Sequence, residues 1–218
     1  MANLIFDYDG TLHESLCIYA PAFRLGYSHL VRKGIAADKE FSDAEISRWL
    51  GFSAKDMWEN FMPELSQPER DLCSEIIGDE MVRLTLAGKA KLYSGTETVL
   101  QQLRALGHNL IFLSNCKHRY MKAHRKHFKL EQYFSTFYCT EDFNFFPKWQ
   151  IVKSIMVEVS GKFIVIGDRW QDIEIALRNQ LLSIGCAYGY CSLDELNSAT
   201  IQVFSVEGIL DAVYRLCP

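Results

Sequence analysis

The stretch Leu4-Ile5-Phe6-Asp7-Tyr8-Asp9-Gly10-Thr11 runs three apolar residues together, then turns abruptly to carboxylates, a glycine and a hydroxyl. Apolar residues at consecutive rather than alternating positions suit a strand buried on both faces, as in a parallel sheet between helix layers. Two more runs end in the same way. Leu110-Ile111-Phe112-Leu113 stops at Ser114-Asn115, and Phe163-Ile164-Val165-Ile166 stops at Gly167-Asp168. A weaker run, Leu181-Leu182-Ser183-Ile184, stops at Gly185. Helical patterns separate the runs. Val99, Leu100, Leu103 and Leu106 share one face, with Gly107 as the stop. This alternation predicts an α/β fold with a doubly wound, Rossmann-like parallel sheet. All the polar run ends then lie at the carboxyl edge, where such sheets bind ligands.

The stretch from His13 to Gly88 shows no strand-like run. Leu16, Tyr19, Ala20, Phe23, Tyr27, Leu30 and Val31 form a helical stripe, in which Pro21 marks a start or a kink. Ser42-x-x-Glu45 and Ser66-x-x-Glu69 both have the capping-box pattern. The predicted organisation is therefore a core domain from residues 1–12 and 89–218, with an inserted α-helical cap domain at 13–88. Trp49, Phe52, Trp58 and Phe61 are expected to pack that helical unit.

A chain of 218 residues with 49% hydrophobic content buries a substantial core without staples. The 27 acidic residues outnumber 23 basic ones, so no general attraction to nucleic acid or anionic membrane is expected. No apolar run is long enough to span a bilayer. The seven cysteines are odd in number and scattered, which fits reduced thiols and a cytoplasmic setting. The strongly basic segment 117–129 reads as a solvated surface helix, with Tyr120 and Phe128 turned to the core. No site is assigned to His118, His124 or His127.

Asp7 and Asp9 are two apart at a strand end, so both carboxylates are expected on one face, with Tyr8 turned away. Close carboxylates repel unless a cation lies between them or one takes a proton. The motif Asp7-Tyr8-Asp9-Gly10-Thr11 resembles the first motif of the haloacid dehalogenase-like superfamily of phosphotransferases. Ser114 resembles its second motif, Lys148 its third, and Gly167-Asp168-Arg169-Trp170-Gln171-Asp172 its acidic fourth, in the family's order. Tyr93-Ser94-Gly95 and Gly185-Cys186-Ala187-Tyr188-Gly189-Tyr190 resemble further family segments. A helical cap after the first motif resembles the branch of phosphoglycolate phosphatase and β-phosphoglucomutase.

This resemblance implies a Mg²⁺-dependent phosphatase acting on a small phosphorylated metabolite, phosphoglycolate- or sugar-phosphate-like. Asp7 would be the nucleophile that forms an aspartyl-phosphate, and Asp9 the general acid and base. A carboxylate at the second position favours phosphoryl transfer over dehalogenation. Asp7, Asp168 and the Asp9 backbone carbonyl would hold the metal, with Asp172 on a metal-bound water. Ser114 and the backbone N–H of Asn115 would bind phosphate oxygens, and Lys148 would neutralise charge, with Lys153 as the fallback. Two positions depart from the family pattern. Pro147 precedes the lysine instead of following it, and Arg169 stands where a small hydroxyl residue is frequent. A phosphomutase on the same scaffold and a non-catalytic anion-binding protein are the alternatives.

Overall fold

The computed structural model describes residues 1–192 and 194–217. Six parallel strands form one sheet: β1 (Asn3–Phe6), β2 (Asn109–Ser114), β3 (Thr136–Cys139), β4 (Phe163–Gly167), β5 (Leu182–Cys186) and β6 (Ile201–Val203). Their spatial order is β3-β2-β1-β4-β5-β6, the doubly wound arrangement the runs predict. β1 lies between β2 and β4, in register Phe6 to Phe112 and Phe6 to Ile166. The three apolar runs thus become adjacent central strands, and their polar ends meet at one edge.

Alternate residues of these strands feed two cores. Leu4, Phe6, Leu110, Phe112, Ile164 and Ile166 join one apolar cluster, which α5 (Thr96–Ala105), α6 (His118–Phe128) and α9 (Gly208–Leu216) cover. Ile5, Ile111, Leu113 and Val165 face the other way, against α7 (Lys148–Glu158) and α8 (Trp170–Asn179). Leu106 does not join the stripe foreseen for α5. That helix ends at Ala105, and the turn through Gly107 at φ +84° leaves Leu106 exposed.

Between β1 and α5 the chain is helical: α1 (Leu16–Arg32), α2 (Asp43–Ser47), α3 (Ala54–Phe61) and α4 (Gln67–Leu86). α1 continues through Pro21 and packs on α4 closely enough that a Cβ on Gly26 would lie 2.7 Å from Ile77. A third apolar cluster, including Tyr19, Phe23, Leu30, Trp58, Cys73 and Ile77, belongs to this segment. The Ser42 capping box forms, with its side chain accepting from the Glu45 N–H and Glu45 bonding back to the Ser42 N–H at 2.9 Å. Ser66 makes no such side-chain bond, and the Glu69 carboxylate turns to Lys33 and His29. His13 to Ser15, read from the sequence as part of the helical unit, are tied to the sheet side. His13 bridges Asp9 and Leu92, and the Glu14 N–H donates to the Lys91 carbonyl at 2.9 Å. The helical segment therefore begins at Leu16.

Candidate active site

Asp7 leaves the carboxyl end of β1, and its N–H donates to the Ile166 carbonyl at 2.8 Å, so the central sheet fixes its position. Asp168 follows β4, and Asp172 lies in the first turn of α8. Carboxylate oxygens of Asp7, Asp168 and Asp172 lie within 4.8 Å of one another, and all three residues are buried. Lys148, the first residue of α7, brings its Nζ onto Asp7 Oδ1 and to 2.8 Å from Asp172 Oδ1. Pro147 immediately before it ends the preceding turn and opens the helix, so the altered Pro-Lys order still delivers the amine.

The glycines of the motifs make room for this cluster. Gly10 sits at φ +89°, and a Cβ there would fall on the Asp168 carboxylate. The Tyr190 N–H donates to Asp168 Oδ2 at 2.7 Å, and Thr11 Oγ1 donates to Asp168 Oδ1 at 3.2 Å. Burial drives the Asp7 carboxyl well above its ordinary range. Lys148 opposes that rise, while Asp172 and Asp168 add to it. Asp168 is pushed up to about 7, first by burial and then by repulsion from Asp172. Burial disfavours the Lys148 ammonium, but Asp172 and Asp7 outweigh it and hold the amine above its usual range.

Three buried carboxylates facing one ammonium leave an excess of negative charge in low dielectric. The donors are all hard oxygens. A divalent cation such as Mg²⁺ fits both conditions.

Asp9 departs from the expected arrangement. The strand ends at Phe6, so strand alternation does not extend to Asp9, and its carboxylate is not in the three-acid group. It accepts from Tyr120 Oη at 2.6 Å and Ser15 Oγ at 2.7 Å, and lies 2.9 Å from His13 Nδ1. Ser114 Oγ is 3.5 Å away. Burial would raise its pKa, but the hydrogen bond and charge of His13, with help from the Tyr120 hydroxyl, bring it to about 2. Any share of Asp9 in a metal site thus falls to its backbone carbonyl.

The partners of Asp9 rest on a second layer. Tyr8 Oη lies 2.8 Å from His124 Nδ1, and His124 Nε2 lies 2.9 Å from Thr85 Oγ1. Thr85 donates to the Met81 carbonyl, so His124 carries its proton on Nε2 and accepts from Tyr8 on Nδ1. Burial keeps this ring neutral, well below the ordinary histidine range.

The helical segment reaches the site at Leu50 and Gly51. Arg169 Nη1 donates to the Leu50 carbonyl, and Asn115 Nδ2 donates to the Gly51 carbonyl at 3.0 Å. Arg169 is fixed from behind by Glu195, at 2.8 Å from Nε, and stacks near the Phe52 ring at 5.2 Å. Asp7, Asp9, Ser114 and Asn115 open onto one cavity, which Trp49 and Phe52 also line. Trp49 still packs on Phe61, with centroids 5.6 Å apart, so it serves packing and cavity alike. Trp58 is buried in the helical cluster, as expected.

The sequence reading did not single out Tyr120, His13, His124 or the Arg169–Glu195 pair as a support for the site. Tyr120, His124 and Phe128 are spaced four apart on α6, and that spacing was the available signal.

A doubly wound sheet with an aspartate just past the first strand, a second carboxylate two residues on, and acids and a lysine gathered around the first fits a phosphoryl-transfer class of hydrolase. The chain belongs to the haloacid dehalogenase-like hydrolase family, whose model matches residues 4–186, and it is an enzyme of the phosphatase type. A 5′-nucleotidase from Pseudomonas aeruginosa is 24% identical over 201 residues, covering 90% of this chain and 87% of that one. A predicted phosphatase from Clostridium acetobutylicum superposes with a TM-score of 0.84 at 24% identity, covering 98% of each chain. A predicted phosphoglycolate phosphatase from Haemophilus somnus gives 0.81 at 18% identity, again over 98% of each chain.

Proposed function

We propose that the protein is a Mg²⁺-dependent phosphatase that hydrolyses a small phosphorylated metabolite through an aspartyl-phosphate on Asp7. The observation that carries this reading is the buried group of Asp7, Asp168, Asp172 and Lys148, whose Asp7 opens on a cavity shared with Asp9 and Ser114. The names of the matched relatives support it.

Asp7 attacks phosphorus, and the bond from phosphorus to the ester oxygen breaks. Asp9 gives that oxygen its proton, and the alcohol leaves. Water then cleaves the aspartyl-phosphate, losing a proton to Asp9 and releasing inorganic phosphate. The hydrogen bonds that hold Asp9 as a carboxylate suit the second step. A bound phosphate brings negative charge beside it, which raises its proton affinity for the first. Ser114 and the Asn115 N–H hold phosphate oxygens, and Lys148 offsets their charge and that of Asp7. Asp7, Asp168 and Asp172, with the Asp9 carbonyl, would hold Mg²⁺, which supplies positive charge against the repulsion between Asp7 and the phosphate.

The helical segment is the cap of this reading. With Leu50 and Gly51 held on the core, it shuts bulk water from the cavity, and its release lets product out. The seven free thiols fit a cytoplasmic setting, and among the described residues no helix is long and apolar enough to cross a membrane.

The test is phosphate release from a panel of esters, with Mg²⁺ and with chelator, beside Asp7→Asn. Mg²⁺-dependent release is expected, and Asp7→Asn abolishes it while the protein stays folded. Substantial turnover in that variant would remove Asp7 from the mechanism.

A further inference from the structure

The walls of the cavity above Asp7 are at odds with a glycolate or sugar ester. Tyr19, Trp49, Phe52, Met57, Ile77 and Met81 line it, and its surface is mainly apolar. The space is about 160 Å³, against the roughly 10–15 Å³ by which one water is accommodated, so an organic group fits beside the phosphate.

Among the described residues, Ser74 and Asn115 on these walls are already engaged, while the Tyr19 hydroxyl and the Trp49 Nε1–H make no hydrogen bond to the protein. Ser74 Oγ sits between Trp58 Nε1 at 2.8 Å and the Arg70 carbonyl at 2.7 Å. Asn115 Nδ2 is on the Gly51 carbonyl. Among the described residues the cations on the walls are Lys117 and Arg119. Lys117 pairs with Glu75, while Arg119 pairs with Glu75 at 2.9 Å and with Asp79. A glycolate carboxylate or a second phosphate therefore finds these cations already paired, and the several hydroxyls of a sugar outnumber the two unbonded groups, the Tyr19 hydroxyl and the Trp49 Nε1–H, so most would lose water without gaining a partner. A flat, weakly polar ring has no such demand, and aromatic walls favour it by stacking.

Two of those walls are preset. Trp49 and Phe52 flank Leu50-Gly51, the segment that Arg169 and Asn115 hold on the core, so their rings stand at a fixed place relative to Asp7. Both are only partly buried by the protein's own packing.

We infer that the substrate is a phosphate monoester whose alcohol half carries a flat aromatic ring, aryl or nucleobase-like, seated against Trp49, Phe52 and Tyr19. This rests on the phosphatase reading and narrows it. It also departs from the glycolate- or sugar-phosphate expectation of the sequence.

The test compares kcat/KM with Mg²⁺ for four esters: phenyl phosphate, a nucleoside 5′-monophosphate, phosphoglycolate and glucose 6-phosphate. One of the two ring-bearing esters is expected to exceed both others by about tenfold or more. Phenyl phosphate ahead places the ring directly on the ester oxygen, and the nucleotide ahead places it beyond a ribose. Trp49→Leu keeps an apolar side chain against Phe61 but removes the flat face, and is expected to collapse that ratio towards one in a folded protein. If phosphoglycolate or glucose 6-phosphate leads, the inference falls while the phosphatase reading stands. If no ester turns over, the phosphatase reading falls, and titration calorimetry still decides the pocket. Phenylphosphonate is expected to bind more tightly than methylphosphonate, and equal or reversed affinities would overturn the ring site.

Discussion

Removing divalent cations with a chelator leaves Asp7, Asp168 and Asp172 to share the single charge of Lys148. Under those conditions the protein loses stability as pH rises, opposite to the usual behaviour of paired carboxylates. The sign follows from Asp168. Its carboxyl titrates near 4 when unfolded and is pushed up to about 7 in the folded chain, so between those values the folded state holds a proton that the unfolded state has released. The stabilisation is complete below pH 4 and is lost as pH climbs through 7. At about 1.4 kcal/mol per pH unit across that interval, the loss is about 4 kcal/mol. Asp7, also raised, acts in the same direction. Other groups oppose it. His124, held neutral by burial, and Asp9, lowered to about 2, both favour higher pH. The measurement is therefore a difference. Urea unfolding, followed by the fluorescence of the four tryptophans, of which Trp58 is fully buried, is run in chelator at pH 5, 6 and 7 on the native chain and on Asp168→Asn. The variant has no carboxyl to titrate, so the native chain is expected to lose ground against it steadily across the series. Added Mg²⁺ stabilises the native chain more at pH 7 than at pH 5. A native-minus-variant difference that stays flat or rises with pH would refute the reasoning, because the acid cluster would then carry no excess charge.

Four other substitutions bear on the supports of the site and on the helical segment. Tyr120→Phe removes the 2.6 Å donor from Asp9 and is expected to lower kcat about tenfold with a smaller effect on urea stability, read from steady-state kinetics on the same ester. Arg169→Ala strips the Leu50 carbonyl of its donor and removes the ion pair with Glu195; stability is expected to drop by about 2–3 kcal/mol and KM to rise more than kcat falls, whereas an unchanged KM would show that the loop holds without it. Ser42→Ala is expected to cost about 1 kcal/mol in urea unfolding and Ser66→Ala under about 0.5, since only the first serine caps its helix through the side chain.

The central strands were legible in the sequence because both faces of each are covered, which forces an unbroken apolar run. β3 and β6 were not, and the reason is their place. Each lies at an edge of the sheet with one strand neighbour, so Thr136–Cys139 and Ile201–Val203 keep partly exposed residues and show no such run. Asp7 and Asp168 were legible as acids at strand ends and Lys148 only through the family resemblance, and the structure brings Asp7, Lys148, Asp168 and Asp172 together across the 165 positions from Asp7 to Asp172. The direction of Asp9 was not legible, because it depends on Tyr120, 111 residues away, and on a turn that breaks strand alternation at its first step. Ser66 shows the opposite failure. A local pattern was present, but the Glu69 carboxylate turns to Lys33 and His29 from another helix.

The sheet order also sets the timetable on which the site comes into being. β1 is sandwiched between strands that begin at residues 109 and 163, and the last member of the acid cluster is residue 172. On the ribosome, Asp7 is therefore a solvated, ordinary carboxylate while the helical segment, with an apolar cluster of its own, is already made. Its buried neighbours arrive together, after most of the chain has been translated. A nascent or truncated chain that stops before α8 carries Asp7 without Asp172 and the buried surroundings that shift its proton affinity.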